Sequence, residues 1–293
     1  MIETERVASS TRTTAPGTAE SRRRWVGARR PVLPEGAALL GVPAILLALF
    51  LLLPLIALVW ETARSGTLPD ALRGPVVWPA LRLSLETSAE ALAITVALGT
   101  PLAYALARVP FRGRTLVETL VDLPLVLPPV VAGVALLIAF GRRGLFAGPL
   151  HAAGIDLAFT TQAVVLAQVF VSASYYVRSA RSGFASIEPE LEEVARTLGA
   201  TRLQALRYVT LPLAAPALAS GAVLCWARAM SEFGATMMFA GNLPGTTRTA
   251  SLAIMTAFNS DLYAALALGV VLLTVAAGTL LFFRLLSRDG FLV

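Results

Sequence analysis

Ile187-Glu188-Pro189-Glu190-Leu191-Glu192-Glu193-Val194-Ala195-Arg196-Thr197-Leu198-Gly199 and, further on, Val209-Thr210-Leu211-Pro212 form a charged stretch set between two apolar runs of membrane length. The stretch is too polar to enter lipid and too amphipathic for a plain loop. It reads as short helices lying on a membrane surface and docking a soluble partner. Pro189 and the surrounding glutamates suit a first helical turn, where proline's missing N–H costs nothing and carboxylates meet the positive end of the macrodipole. Leu191, Val194, Ala195 and Leu198 then keep the i, i+3, i+4, i+7 rule of one apolar stripe. Gly199 ends that helix in the left-handed conformation. Thr201 and Gln204 have capping-box spacing for a second helix, which is expected to stop before Pro212.

Outward from this stretch the chain is apolar. Hydrophobic residues make up 56% and charged residues 14%, far below the roughly 25% charged content of soluble domains. About 20 apolar residues span a bilayer, and six segments qualify: 37–60, 83–107, 116–140, 160–177, 213–240 and 262–286. The fold class is therefore all-α, a polytopic membrane protein of about six transmembrane helices. Residues 1–36 are rich in Ser, Thr and Arg and read as a disordered cytoplasmic tail rather than a cleaved leader. Cys225 stands alone inside a span, so no intrachain disulfide forms.

Arginines set the orientation, because basic residues beside span ends stay in the cytoplasm. Fifteen flank one set of ends, among them Arg22 to Arg24, Arg108, Arg112, Arg114, Arg178, Arg181 and Arg196, against six on the other. Both termini and the 187–212 stretch fall on the arginine-rich, inner side. Arg142 and Arg143 sit on the other side, against the trend. The net charge of +6 is explained by these span ends and by lipid headgroups, not by nucleic acid.

Absences narrow the function further. Every basic residue is arginine, so the chain lacks the lysine that a Walker-type phosphate loop requires. His151 is the single histidine and cannot build a multi-histidine metal site or a triad. No catalytic cluster is visible, and the chain does not read as an enzyme.

Three further segments carry unusual chemistry. Arg228 and Glu232, with Ser231 between them, lie four residues apart in the fifth span, roughly 22 and 28 Å along a helix begun at Leu213. Charges in lipid are costly, so the two should face the bundle interior and pair. They read either as guards of an anion path or as an ion pair clamping helices. Gly241 to Thr249, with Asn242 and Arg248, is a turn-forming loop that suits close backbone packing or an anion. In the third span Pro124, Pro128 and Pro129 remove backbone hydrogen bonds, so that helix should kink and line a path rather than face lipid. Ala214, Ala215, Ala217, Ser220, Gly221 and Ala222 offer a small-residue face for close helix contact.

The 187–212 stretch resembles the cytoplasmic loop of the membrane-spanning permease subunits of ATP-binding-cassette importers, which runs Glu-Ala-Ala, three residues, Gly, nine residues, Ile-any-Leu-Pro. Glu193, Ala195, Gly199, Leu211 and Pro212 match, with Val194 and Val209 as mild replacements. A partnerless interfacial hairpin leaves that spacing unexplained. Glu232 to Ala235, Gly241 to Thr249 and Asp122 to Pro129 are similar to the molybdate branch of these permeases, and more distantly to the sulfate, thiosulfate and tungstate branches. The resemblance implies a type I transmembrane domain over 80–286, a first helix at 37–60 and a short cytoplasmic tail at 287–293. It also implies a homodimer in a bacterial inner membrane, two ATPase subunits that hold ATP and Mg while this chain holds no cofactor, and an extracytoplasmic oxyanion-binding protein. In that family the loop is the element that couples to the ATPase, a role that would fall on Glu193, Ala195 and Gly199. A secondary anion transporter is the rival reading; it would need ionisable residues near the midplane, where Arg228 and Glu232 are the obvious pair, and repeated halves, which are not visible.

Overall fold

Every regular element among residues 37–288, the part of the chain that the computed structural model describes, is a helix. The tail read at 1–36 and residues 289–293 lie outside this range. In chain order the helices are α1 (Ala37–Ser65), α2 (Leu68–Arg73), α3 (Val77–Arg108), α4 (Arg114–Val126), α5 (Pro129–Phe140), α6 (Ala147–Ala152) and α7 (Thr161–Ala185). They continue with α8 (Pro189–Thr197), α9 (Arg202–Ala205), α10 (Leu211–Met230), α11 (Gly234–Phe239), α12 (Ala250–Phe258) and α13 (Leu262–Arg288). Five of them are long and apolar enough to cross a membrane, or six if α4 and α5 count as one broken span. Residues from Leu55 onward form one packed unit, and the part of α1 through Pro54 belongs to another.

α7 is the centre of the bundle. Most of its apolar stretch is buried, because small residues let the neighbouring backbones come close. A Cβ on Gly99 of α3 would meet the Tyr176 ring at 3.0 Å, one on Gly183 would collide with the Cβ of Ala217, and one on Gly221 would lie 2.8 Å from the Cβ of Ser179. Hydroxyls reinforce these contacts: Thr100 and Tyr176 share a 2.6 Å hydrogen bond, and Ser179 donates to Ala217 O at 2.8 Å. Phe184 packs edge-on against Tyr104 with ring centroids 5.5 Å apart. The small-residue face read on the fifth span is used through Ala214, Ala217 and Gly221, whereas Ser220 is exposed.

Four expectations need correction. The fourth span does not stop at Val177: α7 continues to Ala185 and so carries Arg178 and Arg181 within the helix rather than beyond its end. The tail read from 287 begins inside α13. The fifth span does not continue to Ala240. Its helix ends at Met230, and the chain passes through Ser231, Glu232 and Phe233 before the short α11, so Glu232 is not a further turn along one helix. Finally, the second surface helix does not stop ahead of Pro212. α9 widens into a π-helical turn, Leu206–Thr210, in which Leu211 N–H donates to Leu206 O, and this runs directly into α10. The wider turn gives the helix a register in which proline's ring and missing donor fit at the first positions of α10.

The proline-rich third span breaks rather than bends. α4 and α5 meet at Leu127 and Pro128 with a turn of 119°. The N–H groups absent from Pro128 and Pro129 leave carbonyls of the last turn of α4 without helical donors.

Candidate functional site

The elbow at one end of the bundle is built by local rules. Gly199 has φ +95°, its N–H donates to Arg196 O and that of Ala200 to Ala195 O, both at 3.0 Å. This pair of bonds is a Schellman ending, which an L side chain would strain. Thr201 starts α9 with a complete capping box: its Oγ1 accepts from Gln204 N–H at 3.3 Å, and Gln204 Oε1 accepts from Thr201 N–H at 2.8 Å. The apolar stripe of α8 has no cover among the described residues: Leu191, Val194 and Leu198 are 43%, 57% and 84% exposed, and no residue of α8 is buried. Leu203 and Tyr208, on the next segment, are also exposed.

The residue that ties the elbow to the bundle is Glu192, beside the expected Glu193. Thr210 Oγ1 donates to Glu192 Oε1 at 2.7 Å and Tyr104 Oη donates to Oε2 at 3.4 Å. Arg108 Nη2 donates to Ile187 O at 2.7 Å and lies 3.9 Å from Glu192 Oε1. α8 is thereby held to α3 through Arg108 and Tyr104, and to α10 through the π-helical turn. Glu193 is exposed and borders, with Tyr104, Arg108, Pro189 and Arg196, a cleft of about 410 Å³ behind α8. Ala195 is half-buried and Gly199 exposed, while Leu211 and Pro212 open α10. Sequence spacing could not separate Glu192 from Glu193, since their neighbours come from distant parts of the chain.

At the opposite end of α10 the structure brings the two broken helices together. Arg228 Nη2 lies 2.7 Å from Glu232 Oε2, with the Glu232 side chain fully buried and that of Arg228 22% exposed. The approach falls outside hydrogen-bond angles, so the contact is an ion pair. Glu232 Oε1 accepts Ala235 N–H at 2.8 Å and so holds the first turn of α11. Ser231 Oγ donates to Arg228 O and is exposed. α11 packs on α5 with no room for side chains: a Cβ on Gly133 would lie 2.6 Å from Ala235 O, and one on Gly234 2.9 Å from the Cβ of Pro129. Pro128 and Pro129 are exposed beside this contact, so the α4–α5 break and the α10–α11 break form one feature. The pairing expected of Arg228 and Glu232 is present, and the kink expected at the prolines is a full break.

The loop after α11 is also preformed. Arg248 Nε donates to Asn242 Oδ1 at 2.9 Å, and Asn242 Nδ2 donates to Thr256 Oγ1 at 2.8 Å. Thr161 Oγ1 donates to Thr246 O and Leu243 N–H to Thr247 Oγ1, both at 2.9 Å. Gly241 and Gly245 both adopt φ +74°. Arg248 borders a cleft of about 240 Å³ walled mainly by small apolar residues.

Residues 96–289 match the family described as "Binding-protein-dependent transport system inner membrane component". The chain belongs to that family. This permease is 45% identical over 240 residues to "Molybdenum transport system permease protein ModB" of Mycobacterium bovis, covering 80% of this chain and 89% of the relative. It is 37% identical over 267 residues to "Sulfate transport system permease protein CysT" of Salmonella typhimurium, covering 89% and 96%. Its fold is that of a subunit in the "Crystal structure of a bacterial ABC transporter involved in the import of the acidic polysaccharide alginate", with a TM-score of 0.70, 21% identity, and 88% and 97% of the two chains covered. The permease is thus a multi-pass membrane transport subunit of all-α fold.

Proposed function

We propose that this permease forms the translocation path of an ATP-driven importer for molybdate. The observation that carries the coupling half of this reading is the elbow: a short helix anchored through Glu192 and Arg108 to two long helices, with its apolar stripe uncovered among the described residues. Such a lever can receive motion from a soluble engine and pass it to α3 and α10. The engine is a pair of ATPase subunits that hold ATP and Mg, docked on Leu191, Val194 and Leu198 around Glu193, Ala195 and Gly199. Two copies of the permease enclose one path, and an extracytoplasmic binding protein delivers the oxyanion. The arginine bias places both termini and the elbow in the cytoplasm, and the loop of Asn242 and Arg248 outside. Molybdate is favoured over sulfate because identity to molybdenum permeases exceeds that to the sulfate permease.

Arg228 and Glu232 stand at the outer break, where the two broken helices meet. Half-helices and unwound backbone at a path are a recurring way to bind and gate solutes, and the buried pair holds this junction closed. The test is reconstitution of the permease with its ATPase and binding protein in proteoliposomes. Molybdate uptake that requires ATP and the binding protein is expected, with sulfate competing weakly. Uptake by the lone permease driven by an ion gradient would instead favour a secondary anion transporter.

A further inference from the structure

Among the described residues, the C-terminal half of α7 is covered on three sides and open on one, whereas its N-terminal half also packs on α5 and α11. Ser174 Oγ donates to Val121 O of α4, and Arg181 reaches Glu118 of α4 at 3.2 Å. Ser179 and Gly183 meet Ala217 of α10, while Val177 and Phe184 pack on α3. With about 100° between successive residues, the sector left between α4 and α10 carries Tyr175, Arg178 and Ser182. Arg178 and Ser182 are exposed, and Tyr175 is half-buried. The same open side of α10 presents Ser220 and leads on to Ser231.

A lipid-facing sector would be apolar, as it is on α4, where Leu116, Leu120 and Leu123 are 63%, 56% and 47% exposed. The open sector of α7 is polar and holds an arginine. Arg178 lies seven residues from the end of α7 and Asp122 eight residues into α4, so both stand roughly 10–12 Å inside the helix ends. Arg178 Nε lies 3.7 Å from Asp122 Oδ1, and the arginine side chain stays 60% exposed. Arg181, by contrast, shares Glu118 with Arg114, which lies 2.8 Å away. Arg114, Arg178 and Arg181 against Glu118 and Asp122 leave one positive charge in excess, and Arg178 is the arginine whose partner lies beyond hydrogen-bond reach.

We infer that Arg178, on the floor of the groove between α4 and α10, meets the translocated oxyanion on the inner half of the path and lowers the barrier to its exit. The inference rests on the function proposed above and assigns a residue to it. A tetrahedral dianion can take two of the free guanidinium N–H groups, and the one positive charge in excess among these five groups raises local anion concentration. A lipid headgroup phosphate has the same chemistry and is the occupant to be excluded.

The experiment uses the complete transporter, with Cys225→Ala removing the chain's single cysteine. Arg178→Gln is expected to cut molybdate uptake by about 10-fold or more, as loss of a charged hydrogen bond implies. Arg178→Lys should restore most of the uptake, which separates charge from packing. Arg178→Cys should react with a water-soluble thiol reagent from the cytoplasmic side, and added molybdate should slow that reaction. Three results would overturn the assignment: normal uptake in Arg178→Gln, no labelling of Arg178→Cys, or protection by anionic-lipid vesicles and not by molybdate. If the unaltered complex transports sulfate and not molybdate, the substrate proposal fails, and the same variants run with sulfate still decide the role of Arg178.

Discussion

Two arginine–glutamate pairs mark the two ends of α10 and are built in opposite ways. At the elbow, Arg108 and Glu192 stand 3.9 Å apart at partly accessible sites, and the carboxylate shares itself with Thr210 and Tyr104. At the break, Arg228 and Glu232 are 2.7 Å apart with the carboxylate fully buried, and its second oxygen holds a backbone N–H. The glycines follow the same division. Gly199 has open space around a would-be Cβ but needs its positive φ, whereas Gly133 and Gly234 need the space. One end is a lever whose surface awaits a partner, and the other is a dry clamp whose parts already fill one another.

The sharpest way to break this comparison is Glu232→Ala. It leaves Arg228 without its counter-charge and frees Ala235 N–H, and a cost of about 3–5 kcal/mol is expected. The measurement is resistance of the purified permease to denaturation by an anionic detergent, read by helical circular dichroism. Replacing both residues, Arg228→Met with Glu232→Leu, should cost less than Glu232→Ala alone; equal or greater loss would show that the pair is not a clamp.

Gly133→Val should destabilise by about 1–3 kcal/mol, because the added carbons collide with Ala235 O and Met238. The same detergent titration checks it. Glu192→Ala should cost about 1–2 kcal/mol and, more tellingly, lower the molybdate carried per ATP hydrolysed while hydrolysis continues. Gly199→Val should be mildest on stability, about 1 kcal/mol of backbone strain at the helix end, yet reduce coupling similarly, and Gly199→Asn should recover most of it because asparagine tolerates the left-handed region. Full coupling in Gly199→Val would remove the elbow from the mechanism.

Local interactions are the part of this structure most legible in the sequence. The α8 stripe, the left-handed Gly199 and the Thr201–Gln204 capping box involve residues within a few positions of one another, and all are present as read. Mean apolarity over about 20 residues was enough to place the long helices, because the bilayer sets their length. It failed at their ends. α10 stops at Met230 although the following residues remain largely apolar, since the backbone there turns to let α11 pack on α5 through Gly133 and Gly234. Likewise the continuation of α9 into α10 depends on a π-helical turn, which a rule based on Pro212 alone did not anticipate.

Apolar period, helix-end residues and the distribution of arginine therefore determined an all-helical membrane protein with a surface elbow, because these depend on solvent and on neighbours in the chain. Only the tertiary structure decided that Glu192 rather than Glu193 anchors the elbow, that the Pro128–Pro129 break meets the Glu232–Gly234 break, and that Arg178 lies on an open polar sector. Each of those facts depends on which helix stands beside which, and residues far apart in sequence supply the partners.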